Sequence, residues 1–146
     1  LPRLECSSAL AAVEEEHSLL CSSPLLERAR HNGFGFLAHS PLAGGVLTGK
    51  YRHTTPPDSR AASAHLRSSV EPYLESSLPI VEALSQAAHG LECSIADVAL
   101  AWVEGTPGVT SAIIGPRNLV QLEQILNGRI ELPLPIRQVL SEVSAK

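Results

Sequence analysis

Apolar residues recur every three to four positions in three segments of the C-terminal half, residues 77–90, 94–105 and 118–128. This spacing places apolar side chains on one face of a helix, so we predict three amphipathic α-helices. Polar residues at two of the starts agree with this: Ser94 and Asp97 resemble a capping box, and Asn118 is a candidate N-cap. A last helix is predicted over residues 135–143.

Two short apolar runs predict buried β-strands, "FGFLAHS" at residues 34–40 and "VTSAIIG" at residues 109–115. The first run follows a helix predicted from an N-cap at Ser23, with Pro24 in the first helical position, to the Asn32-Gly33 stop. The start of the chain could form a helix that leads into a short strand near residues 13–17, although three consecutive glutamates interrupt the strand pattern there. Helices that alternate with buried strands predict an α/β parallel sheet or barrel.

Composition narrows the class of protein. The 146 residues are 44% hydrophobic and 18% charged, which is typical of a globular domain with a core. The net charge of −4 disfavours a nucleic-acid-binding surface, and no apolar run is long enough to predict a membrane span. Three cysteines without a C-x-x-C pair predict neither a disulfide framework nor a zinc site, so we expect a reducing, cytoplasmic location. The chain begins at Leu1 and contains no methionine, which suggests a fragment of a longer protein.

The segment "HSPLAGGVLTGKY", residues 39–51, carries most of a phosphate-binding P-loop, because Gly44 is followed by Gly49 and Lys50 at the required spacing. Tyr51 stands where a small hydroxyl should bind Mg²⁺, and the prolines at 56 and 57 prevent the helix that a P-loop needs. An ATP site is therefore disfavoured. The simplest alternative is a surface loop with a solvated lysine, inside a region of about thirty residues, 41–72, that shows little periodicity and is long enough to be functional or mobile.

A resemblance to a known protein family explains residues 39–51 better than a P-loop does. "FGFLAHSPLAGGVLTGKY" closely resembles the region after the seventh strand of aldo-keto reductases, which is commonly G-I-x-x-x-A-Y-S-P-L-x-x-G-x-L-T-G-K-Y. "EEEHSLL" upstream and "ADVALAW", "GVTSAIIGPRN" and "QLEQIL" downstream resemble further segments of that family in the same order. The resemblance covers about residues 13–143 and is most similar to the bacterial, broad-specificity branch.

The resemblance implies a fold and an activity. These enzymes are (β/α)₈ TIM barrels that reduce aldehydes and ketones with NADPH, and such a barrel needs about 250 residues. We therefore expect residues 1–146 to be one partial barrel domain, containing about strands six to eight and the C-terminal helix. The catalytic Asp, Tyr, Lys and His of the family lie in the N-terminal half of the barrel, and no stretch here matches them. The chain alone is thus expected to be inactive, as part of an NADP-dependent reductase of small carbonyl compounds.

The resemblance also implies a cofactor site. His39 would stack on the nicotinamide, Arg60 would join Lys50 at the pyrophosphate, and Arg117 would select NADP by binding the adenosine 2′-phosphate. The other residues implied at the cofactor are Ser40, Pro41, Leu42, Gly44, Gly115, Gln121 and Gln124.

Three positions depart from the family pattern: His39 replaces Tyr or Trp, Glu14 replaces a Gln that contacts the carboxamide, and Ile125 replaces a common Asn. These changes could weaken cofactor binding. Because the catalytic residues are not in the chain, a non-catalytic NADP-binding regulatory or scaffold module, as in channel-associated β subunits of the family, is the alternative function.

Overall fold

The computed structural model describes residues 10–145. Three strands alternate with helices along the chain, and a long connection follows the second strand. The strands are β1 (Ala12–Glu16), β2 (Gly35–His39) and β3 (Ser111–Ile113). The α-helices are α1 (Leu25–Asn32), α2 (Glu71–Leu74), α3 (Leu78–Gly90), α4 (Ile95–Glu104), α5 (Leu119–Asn127) and α6 (Leu134–Ser144). The connection from β2 to α2 also contains short 3₁₀ helices at Ala43–Thr48, Arg60–Ala62 and Arg67–Ser69.

The strands form one parallel sheet in the order β1-β2-β3. Phe36 and Ala38 of β2 are fully buried beneath the helices, so the residues that alternate with them point to the opposite side of the sheet. We call that side the open face; its residues, in register across the strands, include Glu14, Glu16, Leu37, His39, Ser111 and Ile113. Parallel strands with helices packed on one side agree with the predicted α/β class.

The core lies between the sheet and the packed helices, where Leu84 of α3, Val98 of α4 and Leu140 of α6 belong to the same buried cluster as Phe36. Polar contacts fix α6 against α4: Trp102 Nε1 donates to Ser141 Oγ at 3.0 Å. Arg137 donates from both terminal guanidinium nitrogens to the carbonyl oxygens of Ala101 and Trp102, each at 2.6 Å. These carbonyls lie in the last turn of α4, so Arg137 adds to the hydrogen bonds that they accept from the Gly105 N–H and from Thr106 Oγ1.

The predicted starts of α4 and α5 are confirmed. Ser94 and Asp97 form the capping box, and the Asn118 side chain accepts a hydrogen bond from the backbone of Gln121. The helix predicted to begin at Pro24 begins one residue later, at Leu25, so Pro24 and not Ser23 is its N-cap, and the Leu25 N–H donates to Ser23 Oγ at 3.1 Å. The strand predicted over 109–115 is only three residues long, and the helix considered for the first residues lies largely outside the described range.

Two parts of the structure differ from what their sequence patterns indicated. The apolar stripe of α5 is not buried among the described residues: Leu119 and Leu126 are 66% and 58% exposed, while Leu122 and Ile125 are half-buried. The region 41–72 is also more ordered than its lack of periodicity indicated, because it consists of successive tight turns and 3₁₀ helices. Such turns depend on hydrogen bonds over three residues and leave no helical repeat in the sequence.

Candidate active site at the end of the sheet

The chain turns sharply where β2 ends. His39 is the last residue of the strand, and its Nδ1 lies 3.1 Å from Ser40 Oγ. Ser40 and Ala43 then adopt left-handed backbone angles, with φ of 53° and 47°. Residues with a Cβ rarely occupy this region, and such strain concentrates at functional sites. The turn leaves His39 on the open face beside Glu16 and Ile113, its neighbours in register.

Two glycines follow in the same left-handed region, Gly44 with φ 64° and Gly45 with φ 97°. Neither position has room for a side chain. A Cβ at Gly45 would lie 2.7 Å from Lys50 Nζ, and one at Gly44 would lie 3.3 Å from Arg60 Nη1 and 2.7 Å from Val70 Cγ1. Both cationic groups therefore rest directly against bare backbone. We call Gly44 and Gly45 with the adjacent Lys50 and Arg60 the glycine cradle.

The two cations of the cradle have no ionic partner within residues 10–145. Lys50 Nζ lies 5.0 Å from the centre of the Tyr51 ring, and the side chains of Lys50 and Arg60 are only partly exposed. Five other arginines, in contrast, pair with a carboxylate: Arg30, Arg52, Arg67, Arg117 and Arg129. Lys50 and Arg60 thus place two partly buried positive charges beside the glycine backbone, and the described chain supplies no counter-charge. Such an arrangement is suited to bind an anion.

The structure does not support a P-loop. The segment Ala43–Thr48 is a 3₁₀ helix interrupted at Gly44 and Gly45, and Lys50 follows it in a turn. Residues 51–59 continue as turns and extended chain instead of the helix that a P-loop would begin at this point. The phenol of Tyr51 accepts a hydrogen bond from the backbone N–H of Ala61 at 3.4 Å and so helps to close the loop.

The connection between β3 and α5 contains Gly115 and Arg117, and α5 itself contains Gln121 and Gln124. Arg117 Nη1 donates to the carbonyl oxygen of Asp58 at 2.7 Å, which links this connection to the loop that carries Arg60. Gln121 accepts a hydrogen bond from the Arg117 backbone at 2.9 Å and thereby helps to cap α5, a role its spacing did not reveal. Gln124 is exposed, and the space around Gly115 is open among the described residues.

The remaining predicted residues shape the loop. Pro41 is buried, and the carbonyl oxygen of Leu42 accepts hydrogen bonds from the backbones of Gly45 and Leu47. Of the departures from the family pattern, Glu14 is exposed on the open face and Ile125 is half-buried on α5. The structure thus gathers His39, Ser40 and the cradle at the carboxyl end of β2, while Gln124 and Gly115 stand apart with no contact that tests their predicted roles.

Sequence reasoning missed two residues of this region. Gly45 is as constrained as Gly44, and the consecutive glycine pair was the available signal. Asp58 contacts Arg117 across 59 positions of sequence, which no local pattern could reveal. Among the tyrosines of the chain, Tyr73 has a raised pKa, because burial and, to a smaller extent, interaction with Glu16 and Cys21 disfavour its phenolate.

Comparison with known proteins identifies the family of the chain. The model of the aldo/keto reductase family matches residues 5–142, which is nearly the whole chain. The chain belongs to the aldo/keto reductase family. Members of this family are oxidoreductases, and they typically bind a nicotinamide cofactor. Among the described residues, no helix has the length and apolar character needed to cross a bilayer.

Individual aldo/keto reductase relatives match the chain over most of its length. It is 37% identical over 105 residues to L-glyceraldehyde 3-phosphate reductase of Escherichia coli (strain K12), a match that covers 70% of this chain and 30% of the relative. It is 34% identical over 115 residues to a probable voltage-gated potassium channel subunit beta of Oryza sativa subsp. japonica, covering 77% of this chain and 35% of the relative. The chain thus spans about a third of the length of these relatives.

A solved structure shows the same fold. A thermostable aldo-keto reductase in complex with the inhibitor epalrestat superposes with a TM-score of 0.65 and 18% sequence identity. The superposition covers 94% of this chain and 41% of that structure. The three parallel strands and their helices therefore have the arrangement of part of an aldo-keto reductase fold.

Proposed function

We propose that this chain supplies the cofactor-binding loops of an NADP-dependent oxidoreductase that reduces aldehydes or ketones to alcohols. The observation that carries the proposal is the glycine cradle, in which Lys50 and Arg60 lie against left-handed glycines without an ionic partner in the described chain. Membership of the aldo/keto reductase family gives the class of ligand that this cradle would bind.

The residues of the cradle fit a diphosphate. A pyrophosphate group carries negative charge on several oxygens and is bound by cations together with exposed backbone N–H groups. Because Gly44 and Gly45 have no side chain, Arg60 and Lys50 can lie close to this part of the backbone, and together they supply two positive charges at the same point. A side chain at Gly44 or Gly45 would occupy this space and displace one of the two cations.

Other residues would hold the rest of the cofactor. We propose that His39, at the carboxyl end of β2, faces the nicotinamide ring, with Ser40 orienting the imidazole through Nδ1. Ser40, Pro41 and Leu42 would form the wall of the loop, Arg117 would bind the 2′-phosphate, and Gly115, Gln121 and Gln124 would lie toward the adenosine. A nicotinamide held there would supply a hydride for the reduction of a carbonyl carbon.

The proton for the carbonyl oxygen must come from another group. In the family that the sequence resembles, that acid is a tyrosine in the N-terminal half of the barrel, which corresponds to none of the segments matched here. We therefore propose that the 146-residue chain by itself binds nucleotide but does not turn over carbonyl compounds. The cytoplasm, which holds NADPH and keeps thiols reduced, is the proposed location.

Titration of the chain with NADPH, followed by calorimetry, tests the binding site. Lys50→Ala and Arg60→Ala should each weaken binding about tenfold, because each removes a charge-assisted contact to the diphosphate. Arg28→Ala is the matched control, since Arg28 is an exposed arginine of α1 whose side chain also lacks a partner within the described chain. An equal loss of affinity in the Arg28 variant would show that only overall charge matters and would contradict the proposal.

A non-catalytic role is the second candidate, because one relative of the chain is a probable potassium channel subunit. A chimera separates the two functions. In it, this chain replaces the matched 105 residues of the Escherichia coli reductase, and consumption of NADPH is followed with a panel of aldehydes. Turnover would exclude a purely regulatory module, whereas nucleotide binding by a folded chimera without turnover would favour it.

A further inference from the structure

Arg117 holds two distant loops together through two different parts of Asp58. Its Nη1 donates a hydrogen bond of 2.7 Å to the Asp58 main-chain carbonyl. Its Nη2 lies 3.7 Å from Asp58 Oδ2, which is within range of an ion pair but too long for a hydrogen bond. The loop is therefore attached through the carbonyl, and the carboxylate contributes mainly its charge.

The carboxylate is free to leave this position. The Asp58 side chain is 82% exposed and that of Arg117 is 47% exposed, so water can replace either partner. A guanidinium has five N–H donors in a planar fork, and a phosphate can accept two of them at once. A phosphate that reaches Arg117 would thus find donors available but would meet the negative charge of Asp58 nearby.

We propose that the Asp58 carboxylate competes with the 2′-phosphate of NADP for Arg117 and thereby lowers the preference for NADP over NAD. This inference rests on the proposed function, in which Arg117 binds that phosphate. Asp58 is a positioning residue with two opposite effects: its main-chain carbonyl holds the guanidinium in place, and its side chain reduces the guanidinium's affinity for the phosphate.

The variant Asp58→Asn separates the two effects. Asparagine keeps the main-chain carbonyl and nearly the same size, and removes only the negative charge. An exposed ion pair contributes little, so we expect the affinity for NADP to rise roughly two- to fivefold. The affinity for NAD, which has no 2′-phosphate, should stay unchanged. Glu104→Gln, which removes the carboxylate that Arg129 contacts at 3.1 Å, is the matched control for net charge and should alter neither affinity.

Each outcome of the two titrations has a distinct meaning. A higher NADP-to-NAD affinity ratio in Asp58→Asn alone supports the proposal. A ratio equal to that of the unmodified chain overturns it, and so does an equal gain for both nucleotides or an equal gain in Glu104→Gln. If the unmodified chain binds neither nucleotide, the proposed function itself fails, and this inference fails with it.

Discussion

His17 is a buried histidine whose replacement should change the pH dependence of stability. It follows β1 directly and is only 2% exposed. Its ring stacks on Trp102 at a centroid distance of 5.5 Å and meets the edge of Phe36 at 6.0 Å. Neither ring nitrogen has a hydrogen-bond partner within the described chain. Burial lowers the pKa of His17, because a protonated ring in this apolar position would lose its hydration without compensation.

The sign of the effect follows from the two states. The unfolded chain takes up a proton at His17 with a pKa of about 6.5, whereas the folded chain resists protonation until a lower pH. As the pH falls below about 6.5, proton binding therefore favours the unfolded state. The free energy of unfolding should decrease by up to about 1.4 kcal/mol per pH unit until the lowered pKa of the folded protein is reached. Above pH 6.5 this contribution is fully retained.

The replacement His17→Phe keeps an aromatic ring between Phe36 and Trp102 and removes the titrating group. Urea unfolding followed by far-UV circular dichroism, between about pH 8 and pH 5, should show a smaller loss of stability in acid for the variant. At neutral pH the variant should also gain about 1 kcal/mol, because an unsatisfied buried N–H is removed. His31→Phe, at an exposed position of α1, is the control. Parallel pH profiles for the unmodified chain and His17→Phe would refute this reasoning.

Two further variants test other features by the same measurements. Arg137→Lys should lower the free energy of unfolding by about 2 kcal/mol, because lysine cannot donate to both carbonyl oxygens at the end of α4 from one planar group. Urea unfolding measures this loss. Unchanged stability would contradict the role of the paired hydrogen bonds. Gly45→Ala should weaken NADPH binding in calorimetry, because the new methyl group occupies the space of Lys50 Nζ. Gly33→Ala is the control, because Gly33 also has a left-handed backbone but a Cβ there would meet no atom within 4 Å. Equal effects of the two alanine variants on NADPH binding would argue against the cradle.

Local chemistry explains which parts of the fold were predictable. The starts of α4 and α5 depend on side chains within three positions of the cap, so Ser94 and Asn118 could be assigned from sequence alone. Strand β2 was equally clear, because an unbroken apolar run before a Ser-Pro pair has few other structures. The turns after β2 were not predictable, since the left-handed angles of Ser40 and Ala43 are imposed by packing and not by residue type.

The resemblance proposes members of the site, which stay a prediction, but it could not give their contacts. The resemblance to a family named Lys50, Arg60 and Arg117, yet only the three-dimensional structure shows that the first two lie against glycines and the third contacts Asp58. Gln121 shows the same limit: the resemblance implied only that it lies at the cofactor, and the structure shows that its side chain accepts a hydrogen bond from the Arg117 backbone. Contacts between residues far apart in sequence leave no periodic signal.

The order β1-β2-β3 has a consequence for how the chain can fold. Each strand pairs with the strand that precedes it in sequence, so every new strand and its helix can be added to a surface that already exists. The strands can therefore pair in chain order during synthesis, although the core is complete only when Leu140 of α6 joins it. The longest segment between two paired strands separates β2 from β3, so the cradle loop, α3 and α4 are synthesised before β3 can pair with β2. Until Ser111–Ile113 is synthesised, the edge of β2 that will receive it stays open, and Asp58 of the preceding loop lacks its partner Arg117.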